Sequence, residues 1–167
     1  MQLFLYKTLI HSVVSKNLLD VKHRIVTPND WLFILDIRNE EDVRNASFNT
    51  EIIDRDRHIE YMNKLENMKD VYQRIITYNN KDAGYIKVID NEVSYMIKKE
   101  FRGKGIMKSS FEILFKDLKR LGNTKINASI KAENYASLRL AEKMGYKITK
   151  ITYKNNKPYS YMLEKHL

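Results

Sequence analysis

Residues 101–107 read FRGKGIM, so two of the chain's five glycines stand two apart beside an arginine and a lysine. The residues before them alternate in polarity like a strand, and the residues after them repeat like a helix. A strand that ends at Phe101 and a helix that starts just past Gly105 leave a row of backbone N–H groups without acceptors at the helix head. Glycine lets that backbone take positive φ and lets a ligand approach with no Cβ in the way. The helix dipole adds about half a positive charge there, and Arg102, Lys104 and Lys108 add whole ones. The local reading is an anion site suited to a pyrophosphate. A bare GKG also fits a tight turn, and what lies around it decides between the two.

Downstream, Met107, Phe111, Leu114, Leu118 and Leu121 step at helical spacing, and Gly122 suits the C-terminal end. KINASIKAE alternates, with Ile126, Ala128 and Ile130 on one face. A short helix runs from Asn134 through Met144 to Gly145, and YKITKITYK and PYSYMLEKH read as two strands joined by NNKP. Upstream, VYQRIITYN, AGYIKVID and EVSYMIKKEF read as an antiparallel meander broken at NNKDAG and IDNE. Before it come a strand around Lys22–Thr27, a helix in TPNDWLFILDIRN with Thr27 and Pro28 at its start, and a helix in DRDRHIEYMNKLEN with Ile59, Met62 and Leu65 facing inward. The expected order is strand, two helices, three strands, helix, strand, helix, two strands, in one domain over residues 22–167. Residues 1–21 stay unassigned.

The chain has 167 residues, enough for one sizeable core. It has no cysteine, which excludes disulfides, thiolate metal sites and a cysteine nucleophile. His11, His23, His58 and His166 show no ligand spacing, so no metal is expected. The opening MQLFLYKTLI is interrupted by Lys7 and is too short to span a bilayer; it reads as neither export signal nor anchor, and a cytoplasmic location is expected. The net charge of +9 is unevenly placed: residues 1–83 carry 12 basic and 13 acidic residues, and residues 84–167 carry 18 and 8. A basic second half suits an anionic ligand. Nucleic acid is not favoured, because the lysines are spread over several elements without an aromatic-studded stripe.

The loop lacks the Gly-Lys-Ser/Thr ending of a Walker loop and the three glycines of a dinucleotide fingerprint. It is followed, 29 residues past Gly105, by Asn134 in ENYASLRLAEKMGYK. Together these two stretches resemble the GNAT superfamily of acetyl-CoA-dependent N-acetyltransferases. Arg102, Gly105 and Met107 fall on the pyrophosphate motif, the last where a small residue is usual. Asn134, Ser137, Leu140, Glu142, Lys143, Gly145 and Tyr146 fall on the second. The resemblance implies an α/β (α+β) GNAT fold: a mixed central sheet of about six to seven strands with one splayed pair, and four helices. It further implies that EVSYMIKK parts from KINASIKA to admit the pantetheine of acetyl-CoA.

On that basis the cofactor residues are Met96 and Ile97 on the strand, Arg102, Gly103, Lys104, Gly105, Ile106, Met107 and Lys108 in the loop, and Asn134 and Ser137 beyond. The tyrosine that serves as acid in many relatives is replaced by Ala141, so Tyr146, Tyr135 or Tyr95 is the candidate acid, unless the thiolate leaves unaided. Glu92 is the first candidate base, and Ser129 stands where some relatives carry a glutamate. The segment IRNEEDVRNASFNTEIIDRDRHIEYM resembles the branch that acetylates nucleotide-linked amino sugars, as in pathways to pseudaminic acid. This places Arg38, Asn39, Arg44, Ser47, Asn49, His58 and Tyr61 at the acceptor. The expected partner is a small-molecule amine, and the chain is expected to be a monomer or homodimer. Alternative acceptors are a protein N-terminus, a lysine, a polyamine or an aminoglycoside. The remaining alternative is a non-catalytic CoA-binding or nucleic-acid-binding module.

Overall fold

The computed structural model describes residues 19–167. The opening, unassigned by sequence through residue 21, lies outside the described residues as far as residue 18, as does the reading of MQLFLYKTLI. Seven strands form one mixed sheet: β1 (Val21–Ile25), β2 (Tyr72–Tyr78), β3 (Lys81–Ile89), β4 (Glu92–Ile97), β5 (Lys125–Lys131), β6 (Lys147–Lys154) and β7 (Lys157–His166), in spatial order β1-β2-β3-β4-β5-β7-β6. Five helices accompany it among the described residues: α1 (Trp31–Asn39), α2 (Glu41–Ala46), α3 (Arg55–Glu66), α4 (Ile106–Arg120) and α5 (Tyr135–Lys143). This is the GNAT fold that the resemblance implied, with a short α2 added.

The alternation of apolar residues places a core on each face of the sheet. On β2, Ile75 joins Ile34 of α1, Met62 and Leu65 of α3 and Tyr85 of β3, while Ile76 faces the other way and joins the cluster built on α4. Helix α4 contributes Ile106, Met107, Phe111, Leu114 and Leu118, all buried. Leu121, expected to continue that stripe, is 68% exposed. The helix ends at Arg120, and Gly122, at φ 85°, turns the chain away so that the amide of Asn123 returns to the carbonyl of Leu118 at 3.0 Å.

Three hairpins use two-residue turns with both φ values positive: Asn79–Asn80, Asp90–Asn91 and Asn155–Asn156. Asparagine and aspartate tolerate this conformation best after glycine. The break expected over NNKDAG is therefore only two residues long, and β3 starts at Lys81. Arg24 of β1 forks onto Asp30 at 2.6 and 2.9 Å and onto Asp82 at 2.7 and 3.0 Å, fixing the start of α1 to the sheet. That guanidinium holds the Asp30 carboxyl below the usual carboxylate range.

The sheet is antiparallel throughout except in its middle. There β4 and β5 run parallel and share one registered pair, Glu92 with Asn127. On the far side of β4 the pairing with β3 continues from Ile89–Glu92 to Gly84–Ile97. Thus β4 stays with its antiparallel neighbour while β5 follows β7, and the two part company beyond their first rung.

Candidate functional site

A cleft of about 230 Å³ opens where β4 and β5 separate. Ser94 and Tyr95 form one wall, Ala128, Ser129 and Ile130 the opposite wall, and Glu92 the foot; Asn134 and Ser137 of the α5 region and Ser47 and Phe48 beyond α2 close it. A second hollow of about 410 Å³, lined by Asp42, Asn45, Lys131, Glu133 and Tyr135, adjoins it through Ala46 and Asn134. Two contacts bridge the opening. Lys131 Nζ donates to the carbonyl of Asn45 at 3.1 Å, and the rings of Phe48 and Tyr159 meet at 6.2 Å.

The head of α4 has the form its glycines imply. Gly105 sits at φ 77°, in the left-handed region, immediately before the helix. The first intrahelical bond runs from Ser109 N–H to the Gly105 carbonyl at 3.3 Å. The amides of Ile106, Met107 and Lys108 therefore have no acceptor among the described residues. The Ile106 and Met107 side chains turn into the core, at 1% and 9% exposure, so only their backbone can meet a ligand. Met107 thus occupies a core position, and its bulk does not project into the loop. Lys104 lies over the Phe101 ring at 5.5 Å, and Lys108 is 3.9 Å from Glu112.

Arg102 departs from expectation. Its guanidinium is engaged within the chain: Nη2 donates to Glu40 at 2.6 Å, Nη1 to Asp42 at 2.8 Å and Nε to the Ile97 carbonyl at 3.2 Å. Met96 and Ile97 lie at the end of β4, past the last contact with β5.

Of the five candidate acid–base residues, Glu92, Ser129 and Tyr95 line the cleft, and Tyr135 and Tyr146 do not. Tyr95 Oη donates to Ser137 Oγ at 2.9 Å, and burial raises the phenol's pKa, so it stays protonated. Tyr146 is the correction. It follows Gly145, whose φ of 81° ends α5, and it turns inward to pack edge-on against Phe111 and obliquely against Phe115. Its hydroxyl is buried with no hydrogen-bond partner among the described residues, and burial raises its pKa. Tyr135 is 65% exposed and lines the second hollow. Asn134 accepts from the Ser137 amide at 3.1 Å, capping α5 while bordering both hollows.

The acceptor-side residues come together, but chiefly on one another. Asn39 binds the backbone of Ile53 twice, at 2.8 and 2.9 Å. Arg38 donates to the carbonyl of Asn49 at 2.7 Å, and burial lowers its pKa. Arg44 donates to the carbonyls of Asn39 and Thr50 at 3.2 and 2.9 Å. Asn49 accepts from the Glu51 amide. His58, expected to meet the acceptor, is 4% exposed; its Nε2–H donates to the Trp31 carbonyl at 2.7 Å, tying α3 to α1, and burial lowers its pKa. Tyr61 accepts from Lys87 on the surface of α3, away from the cleft. Ser47 alone of the seven lines the cleft, with its hydroxyl donating to the Val43 carbonyl at 2.7 Å. Arg38, Asn39, Arg44 and Asn49 brace the loop over 47–53, while Arg38 Nη1 is buried with no hydrogen-bond partner among the described residues.

Sequence reasoning missed Ser94 and Phe48 in the cleft, the carboxylates on Arg102, and Gly84. The last was open to discovery, because a glycine inside an apolar strand signals close backbone approach. A Cβ at Gly84 would lie 2.4 Å from the Met96 carbonyl oxygen. Among the described residues no cluster of metal-ligating side chains occurs, and no helix is long and apolar enough to cross a membrane.

Among solved structures, the chain is similar to a domain from Methanocaldococcus jannaschii at 23% identity and TM-score 0.78, over 89% of this chain and 99% of that one. It is similar to a putative acetyltransferase from Salmonella typhimurium with acetyl-CoA at 19% identity and TM-score 0.72, over 88% and 94%. It is also similar to spermidine N-acetyltransferase from Vibrio cholerae in complex with CoA and spermine at 19% identity and TM-score 0.76, over 87% and 95%. No curated protein matches the chain significantly by sequence. These structures share the fold. The acetyltransferase (GNAT) domain model matches residues 23–147, a span that runs from β1 through the parted strands, the glycine loop and α5. The chain belongs to the GNAT acetyltransferase family.

Proposed function

We propose that residues 22–167 form an acetyl-CoA-dependent N-acetyltransferase domain that transfers acetyl directly to a primary amine, and that the amine is carried by a nucleotide-linked amino sugar. The observation that carries the donor half is the parting of β4 from β5 after one rung, next to a helix head whose first three amides have no acceptor among the described residues. The Ile106, Met107 and Lys108 amides, with Lys104 and Lys108, hold the diphosphate. The backbone at Met96 and Ile97 pairs with the pantetheine, and Asn134 and Ser137 face it from α5. A donor N–H on β4 that points at the thioester oxygen stabilises the charge developing there.

The amine attacks the thioester carbon, the C–N bond forms and the C–S bond breaks. Glu92, the carboxylate in the cleft, takes the proton that the amine loses, directly or through water. The Ser137 hydroxyl, backed by the Tyr95 phenol, offers a proton to the departing thiolate. Ser129 helps to position the amine.

The acceptor assignment rests on the resemblance of residues 38–61 together with the lining of the cleft. The shared residues specify the shape of the loop over 47–53 more than they supply contacts, and the cleft they help to shape is edged by Ser47, Ser94 and Ser129. Short hydroxyls of this kind suit a hexose. The deciding assay mixes the protein with acetyl-CoA and a panel of UDP-amino sugars, peptides, polyamines and aminoglycosides while free thiol is followed. Turnover of a UDP-amino sugar is expected. Silence on every sugar with turnover of another amine removes the acceptor; thermal stabilisation by CoA with no turnover removes catalysis.

A further inference from the structure

Helix α2 has no fully buried residue and its one aliphatic residue of any size, Val43, is only half-buried, so apolar packing holds it weakly, yet the chain just past it forms a wall of the cleft. Tethers at its ends add to that packing. At its start, Glu40 and Asp42 take the two Nη groups of Arg102, which lies 62 and 60 residues further along the chain in the glycine loop. The Ile97 carbonyl takes the remaining Nε–H. A guanidinium forked between two carboxylates and a carbonyl has its direction fixed. The Arg102 side chain is 31% exposed and that of Glu40 26%, so the contact is partly shielded from water. At the far end, Lys131 and Tyr159 reach Asn45 and Phe48 from β5 and β7.

We propose that Glu40, Asp42 and Arg102 form a strut through which the donor loop holds the amine-side wall of the cleft, so that filling the donor site orders residues 46–48. The inference rests on reading the loop over 102–108 as the donor site. Arg102 is then a positioning residue, and the diphosphate is held by amides and lysines. Because the strut joins two segments that contact different substrates, donor and acceptor bind cooperatively.

Hydrogen exchange with CoA as the probe tests this. In the wild type, saturating CoA slows exchange of the 46–50 amides. In E40Q/D42N the unliganded exchange of that segment rises about threefold or more, CoA still binds within about threefold of the wild-type Kd, and the slowing by CoA is lost. R102E loses the slowing as well, and the reversed set E40R/D42N/R102E regains it. Slowing that survives in E40Q/D42N overturns the strut. So does a reversed set that folds, by its circular dichroism and melting, but recovers neither slowing nor CoA affinity, because the guanidinium then acts on phosphate itself. If the reversed set does not fold, E40Q/D42N decides alone. Wild-type protein that fails to bind CoA refutes the donor reading; the strut is then judged by the unliganded exchange of E40Q/D42N, and unchanged rates there refute it.

Discussion

At the scale of single residues, Gly84 does the least visible work. β4 turns away from β5 at the end where β3 presses closest, and there the Met96 carbonyl oxygen would lie 2.4 Å and Ile97 Cα 3.2 Å from any Cβ at position 84. An alanine would force the Met96–Ile97 peptide to shift by most of an ångström. Overpacking of this kind costs about 1–3 kcal/mol of stability, and a shift of about 1 Å in reacting geometry can cost about a hundredfold in rate. Gly84→Ala is therefore expected to fold with a lower melting temperature and to lose kcat out of proportion to that loss. Steady-state kinetics beside a melting curve checks it, and wild-type kcat in the variant would refute the positional role.

At the scale of elements, α5 illustrates how one side chain can serve a helix and a ligand together. Asn134 caps the helix through the Ser137 amide, and removing such a cap costs about 1 kcal/mol. Aspartate keeps that acceptor but lacks the carboxamide N–H. Asn134→Ala is expected to lose both stability and CoA affinity, whereas Asn134→Asp regains the stability and not the affinity. Calorimetric CoA binding with chemical denaturation separates the two roles; full affinity in Asn134→Asp would leave only the cap. Elements of this kind were legible in the sequence because their signals are local: Asn134 opens α5, Gly145 closes it, and the stripe from Met107 to Leu118 needs only a helical period. Helix α2 was not legible, since six residues with none buried leave no period to detect. The intramolecular partners of His58, Asn39 and Arg102 were not legible for a related reason. Those partners, the Trp31 carbonyl, the Ile53 backbone and Glu40 with Asp42, are set by tertiary packing that no local pattern reports.

Across the whole molecule, a half-buried polar chain fastens β1 and β2 to α4. Tyr72 Oη donates to Asp117 at 2.9 Å, His23 Nδ1–H donates to Tyr72 Oη at 2.9 Å, and Ser110 Oγ–H donates to His23 Nε2 at 2.7 Å. Burial, opposed by Asp117 and helped by Arg74, lowers the His23 pKa to about 4. The neutral imidazole is thus the folded form, while the unfolded chain takes up a proton once pH falls below about 6.5. Stability is full above that pH, declines by up to about 3 kcal/mol between 6.5 and 4, and loses no more from this group below 4. Denaturation midpoints at pH 7 and 4.5 measure the decline, and His23→Gln is expected to flatten it; an equal slope in the variant would place the effect elsewhere.

The middle of the sheet gives the architecture its last property. Seven strands are continuous in order, but in the middle the sheet is joined by one registered pair, Glu92 with Asn127. On the donor reading, a pantetheine lying in that gap extends the hydrogen-bond ladder of β4, so the molecule borrows part of its own framework from what it consumes. On that reading, each departure of spent CoA leaves that edge of β4 bare, and each fresh acetyl-CoA covers it again.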